Sequence, residues 1–104
     1  MRRGEVWWAN LPAPAGRRPV LLLSRNAAYA VRSLVTIAPI TRTIRGIPAE
    51  VPLGLAEGLP HPCVVNCDSI TTIPKDLLSE RIVLLRPAKL AAVSAAIRFA
   101  LSIS

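Results

Sequence analysis

Gly16-Arg17-Arg18-Pro19-Val20-Leu21-Leu22-Leu23-Ser24 is the stretch around which the chain is organised. Its four consecutive aliphatics match a strand buried on both faces or a short piece of buried helix, and the pattern alone does not separate the two. The brevity of the run and the flanking Gly16 and Pro19 favour a strand, expected over Pro19 to Ser24. Such a strand plants two arginines at its mouth, and an arginine stays charged at any ordinary pH. Arg18, next to the proline, becomes the first candidate for chemistry.

Outward from this strand, Gly4 to Ala9 (Gly-Glu-Val-Trp-Trp-Ala) alternates as a first strand, with Val6 and Trp8 on one face and Glu5, Trp7 and Ala9 on the other. The paired tryptophans suit core anchors, or else a platform on which bases stack. Core is the commoner use and the expectation here. Asn10 to Gly16, with Pro12 and Pro14, is a loop. On the other side Arg25 to Ser33 allows one helical turn, and Leu34 to Ile40 reads as a strand in which Pro39 marks a bulge, an edge or an end. Thr41 to Gly46 is a basic loop, either a solvated turn or a lip that contacts phosphate through Arg42 and Arg45.

Ala49 to Leu53 is a short strand, followed by a Pro- and Gly-containing loop in which His61 is set aside as incidental. Cys63 to Ile73 is the longest strand candidate. Its period of two puts Asn66 and Asp68 on one face, which is explained by solvent or by a cleft. Pro74 to Glu80 reads as a short helix with proline first, and Arg81 to Leu85 as a last strand. Beyond Pro87, Leu90, Val93, Ile97 and Leu101 recur at helical spacing. The expected fold is mainly β, α+β in class: a small antiparallel barrel with a C-terminal α-helix, forming one domain over residues 1–104.

The chain has 104 residues and is 52% hydrophobic, which suits one modest core and leaves little room for disorder. No apolar run approaches the roughly 20 residues of a membrane helix, so a soluble, cytoplasmic protein is expected. The net charge is +7, carried by eleven Arg and two Lys against six acidic residues. Arginine forks match phosphate geometry, so a polyanion is the natural partner, nucleic acid before anionic membrane; the plain alternative is a solvated arginine-rich surface. Cys63 and Cys67 would lie about 13 Å apart on one strand, too far for a disulfide. With a single histidine, no zinc ligand set is evident, and neither metal nor cofactor is expected.

Arg3-Gly4-Glu5-Val6-Trp7-Trp8, Gly16 to Ser24, Ala38-Pro39-Ile40-Thr41, Val64 to Ile73 and Leu78-Ser79-Glu80-Arg81-Ile82 occur in that order over nearly the whole chain. Together they resemble the MazF/PemK-like toxins. The resemblance implies an SH3-like barrel with a terminal helix, a homodimer, an acidic antitoxin partner, and metal-independent cleavage of single-stranded RNA. It implies that Arg18 and Thr41 act at the scissile phosphate and that Asp68 matches an acidic position used by some members. Asn66 stands where those members carry a catalytic arginine, and the loop before Gly16 lacks a Gly-Ser-Glu-Gln segment common there. On chemical grounds Arg18 suits charge stabilisation, Thr41 can donate to a phosphate oxygen, and Asp68 is the candidate base. Arg17, Arg42, Arg45 and Asn66 are the candidate RNA contacts. Two other classes fit the pattern: a non-catalytic toxin that binds a protein such as a topoisomerase, and a structural nucleic-acid-binding module.

Overall fold

A computed structural model describes residues 1–104. Its strands are β1 (Glu5–Asn10), β2 (Arg17–Leu22), β3 (Leu34–Thr41), β4 (Glu50–Leu53), β5 (Cys63–Asn66), β6 (Thr71–Pro74) and β7 (Leu78–Leu84). The helices are α1 (Ala28–Val31) and α2 (Pro87–Ala100). The seven strands form one antiparallel sheet in the order β4-β5-β3-β2-β1-β7, with β6 also on β3. The sheet curls into a half-barrel, and α2 packs against β4 and the turn at Cys67–Ser69.

The central strand behaves as its composition demands. Val20, Leu21 and Leu22 are fully buried. Leu21 and Leu23 enter a core shared with Val6, Ile40, Val65 and the α2 residues Val93 and Ala96. Val20 and Leu22 enter a second core with Ala9, Tyr29, Val35 and Ile37. A strand clothed on both faces has no solvent side, which is why β2 lacks apolar–polar alternation.

Pro39 resolves into a position within β3. Leu23 N–H donates to Thr36 O at 2.9 Å, so alternation along the β2–β3 ladder makes Val20 and Pro39 a non-hydrogen-bonded pair. The missing N–H of Pro39 therefore faces the opposite edge. There β3 pairs with β6 through Ile37 and with β5 from Ile40 onward, so the proline sits in the gap between two partners.

That gap corrects the reading of Cys63 to Ile73 as a single strand. The segment follows β3 along one edge but bends through a 3₁₀ turn at Cys67–Ser69. The Asn66 side chain makes the bend: its Oδ1 accepts Asp68 N–H at 3.0 Å and its Nδ2 donates to Ser69 Oγ at 3.2 Å. Such local bonds compete with the ladder, and opposite a proline the ladder has less to offer. The bend breaks the period of two, so Asn66 and Asp68 do not share a strand face.

A second correction concerns Pro74 to Glu80. Only Lys75–Leu77 forms a 3₁₀ turn, and β7 begins at Leu78, which is buried and pairs with Ala9. The terminal helix starts at Pro87 as expected, although Leu101 falls beyond its end and is exposed. No helix is long and apolar enough to cross a membrane.

Candidate active site

The mouth of β2 opens into a cleft of about 430 Å³. Its floor is apolar and belongs to the core: Ile40, Leu59 and Cys63 line it. Its walls carry Arg17 and Arg18 from β2, Thr41 and Arg42 from the end of β3, Trp8 from β1, and His61 from the loop between β4 and β5. No carboxylate lines it. Because β1, β2 and β3 are sheet neighbours, their ends converge on the same place.

Each polar group is held locally. Arg18 Nε donates to Ala15 O at 2.9 Å, which fixes the side chain through one nitrogen and leaves the two terminal NH₂ groups for a ligand. Thr41 Oγ1 accepts Thr43 N–H at 3.1 Å, so its own hydrogen remains to be donated. Arg17 lies over the Trp8 ring at 4.4 Å from the centroid and reaches Glu80 at 3.5 Å. Trp8 is thus a half-buried wall of the cleft, stacked under a guanidinium, and not a core anchor. Trp7 is half-buried at the edge of the second core, its indole N–H donating to Glu5 at 3.1 Å.

His61 is more constrained than a surface loop suggests. Leu59, two residues before it, is buried, and Cys63, two residues after, begins β5. Gly58 takes φ +82°, the left-handed turn that aims the chain back towards the sheet. Pro60 and Pro62 flank the histidine; Pro62 restricts His61 itself to extended backbone.

Four of the sequence-predicted residues, Arg17, Arg18, Thr41 and Arg42, come together in the cleft. Asp68, Asn66 and Arg45 are not among its lining residues. Asp68 is exposed within the 3₁₀ turn, Asn66 is engaged in forming that turn, and Arg45 extends from a loop whose backbone is tied to Glu50. Conversely, Trp8 and His61 line the cleft without having been expected there. The signal for His61 was available as Leu-Pro-His-Pro-Cys, a histidine pinned by two prolines between two buried residues.

The cysteines are free and buried. Burial, and secondarily the Glu57 charge, pushes up the Cys63 thiol, which donates to Leu53 O at 3.7 Å. Burial, with a lesser push from Asp68, raises Cys67 to about 11. Neither is poised as a nucleophile. Nor do three or more His, Cys, Asp or Glu side chains converge into a metal-binding group anywhere in the chain.

A curled antiparallel sheet whose cleft offers guanidinium and hydroxyl donors over an apolar floor defines a small half-barrel with a basic cleft. Residues 2–101 match the family described as PemK-like, MazF-like toxin of type II toxin-antitoxin system, and the chain belongs to that family. It is 43% identical over 91 residues to the probable endoribonuclease MazF2 of Mycobacterium tuberculosis, covering 86% of this chain and 87% of that protein. Its identity to the probable endoribonuclease MazF5 of the same species is 38% over 103 residues, 98% of this chain and 94% of the relative. Among solved structures, the M. tuberculosis toxin MazF-mt6 superposes with a TM-score of 0.89 at 37% identity, covering 96% of this chain and 98% of the other. A mycobacterial endoribonuclease in complex with its cognate antitoxin superposes with a TM-score of 0.87 at 30% identity, covering 100% and 97%.

Proposed function

We propose that this chain is the endoribonuclease toxin of a type II toxin–antitoxin pair, a cytoplasmic domain that cleaves single-stranded RNA in the Arg18–Thr41 cleft. The observation that carries the reading is the convergence of Arg18 and Thr41 with Arg17 and Arg42 in a cleft without carboxylates. The family and the names of its relatives point the same way. Arg17 and Arg42 hold the RNA backbone, and Trp8 supplies an aromatic surface at the rim. Arg18 donates to the non-bridging oxygens as negative charge builds on the phosphorane. Thr41 donates from the other wall and orients the phosphate for in-line attack by the neighbouring 2′-hydroxyl.

The donor set contains no cluster suited to a divalent ion, so the nucleophile in this reading is the one the substrate carries. The products are a 2′,3′-cyclic phosphate and a 5′-hydroxyl. The active form is a homodimer, for which the exposed Phe99, Leu101 and Ile103 offer apolar surface. The antitoxin is an acidic segment drawn to a partner of net charge +7.

The decisive assay compares an all-RNA oligonucleotide with one carrying a single deoxynucleotide at the cut site, both in excess EDTA. Cutting of the RNA alone is expected. Cutting of the deoxy substrate, or activity that vanishes in EDTA and returns with magnesium, overturns the mechanism.

A further inference from the structure

We infer that His61 is the general base that removes the proton from the attacking 2′-hydroxyl, an inference that rests on the nuclease reading above. The reaction needs a proton acceptor at the scissile nucleotide. Asp68, the carboxylate expected in that role, lies outside the cleft, and no other carboxylate lines it. Of the side chains that do line it, the arginines stay protonated, and the Cys63 thiol is pushed up by burial and engaged with Leu53 O. His61 remains as the one group able to gain and lose a proton near neutral pH.

Its neighbours in the cleft are donors, not competing proton acceptors. The charged groups lining the cleft with it are Arg17 and Arg18 on β2 and Arg42 after β3; the β5 wall adds only the Cys63 thiol, and the β1 wall only Trp8. Glu80 on β7 pairs with Arg17 from outside the cleft. With three guanidiniums and no carboxylate among the lining residues, the imidazole is the one nitrogen base the cleft offers to the 2′-hydroxyl. The loop also holds the residue in place, since Pro60, Pro62 and the buried Leu59 and Cys63 restrict its backbone on both sides. A base that must meet a phosphate fixed by Arg18 and Thr41 gains from such restriction.

In the step itself the 2′-O–H bond breaks, its proton passing to a ring nitrogen of His61 while the oxygen's electron pair forms the new bond to phosphorus. The P–O5′ bond breaks, and its pair stays on the 5′-oxygen, which takes a proton from water. The imidazolium then returns its proton to the hydroxide left behind, so the sum is RNA in and two product strands out.

The test measures cleavage of a ribo-oligonucleotide by the full chain against pH, for wild type, His61→Gln and His61→Ala, with melting curves alongside. Loss of a general base lowers kcat by about 10²–10⁴. The expected result is that loss in both variants with KM and melting little changed, and disappearance of the acid limb that wild type shows within roughly pH 5–8. Added imidazole should restore part of the His61→Ala rate. Full activity in His61→Ala, or a loss that keeps the acid limb and ignores imidazole, overturns the base. Wild type that leaves RNA whole overturns the nuclease reading, and the role of His61 with it.

Discussion

The buried acids and the cleft arginines are opposite uses of charge in one small molecule. Glu5 and Glu50 are almost fully buried, and each is engaged by the chain around it. Glu50 Oε1 accepts Arg45 N–H at 2.9 Å and Gly46 N–H at 3.0 Å, pinning the loop after β3. The half-buried Glu57 does the same, accepting Gly54 N–H at 2.7 Å. The cleft arginines are largely unpaired by comparison, with only Arg17 reaching a carboxylate, the exposed Glu80. Acids consumed in holding loops are absent from the cleft, so the charge that lines it is of one sign. Stability and function should therefore separate by charge sign. Substituting an acid should cost folding, and substituting a cleft arginine should cost activity.

The strongest blow to that division would come from Arg18. In Arg18→Ala, loss of one preorganised charge stabiliser should lower kcat by about 10²–10³. Its side chain is exposed and makes one hydrogen bond, to a loop carbonyl, so the melting temperature should hold. Single-turnover cleavage beside a thermal melt reads both. If activity survives, or if it falls only because the protein unfolds, the arginine belongs with the structural charges.

Glu50→Ala is the converse case, and its effect should be smaller. It leaves two backbone N–H groups without their carboxylate; hydrogen bonds to charged groups are worth roughly 1.5–3 kcal/mol, and water at this exposed loop recovers part of that. A loss of about 1–2 kcal/mol in urea unfolding is expected on that basis. Activity measured well below the midpoint should change much less than in Arg18→Ala. A stability equal to wild type would mean that the loop is held by something other than Glu50.

The same division explains what could be read in the sequence. Val20 to Leu23 announces a doubly buried strand because burial on both faces needs no partner to be specified. The α2 stripe is equally local. The bend after Asn66 is not, because it depends on Pro39, far away in the chain, leaving β3 with a gap at the matching height. Asp68 and Asn66 were placed on a common face by a periodicity that this gap interrupts. Arg18 was legible at the mouth of its strand, whereas Thr41 was marked by the resemblance to the MazF/PemK-like toxins. Trp8 and His61 required knowing that β1 lies beside β2 and that the loop before β5 folds over the same opening. Sheet order, which a local pattern does not contain, decides both.

Glu5 carries the smallest effect and the one most easily read against pH. Burial by itself would raise its carboxyl. The Trp7 indole N–H at 3.1 Å, the Arg2 backbone N–H at 2.9 Å, the amino terminus and Arg81 at 3.3 Å outweigh burial and hold it below its ordinary value of 4.5. A carboxyl lowered on folding favours the folded state above the unfolded value, and that contribution fades as pH falls through the folded one. Arg81 is half-exposed, so solvent screens its share and the hydrogen bonds carry most of what remains. Glu5→Gln should thus be less stable than wild type near pH 7, with the gap closing below pH 4.5 as the wild-type carboxyl gains its proton. Urea midpoints for the two proteins at about pH 7 and about pH 3.5 measure the gap directly. A gap of equal size at both would show that Glu5 acts through its shape and not its charge, and the buried acids would then lose their place opposite the arginines.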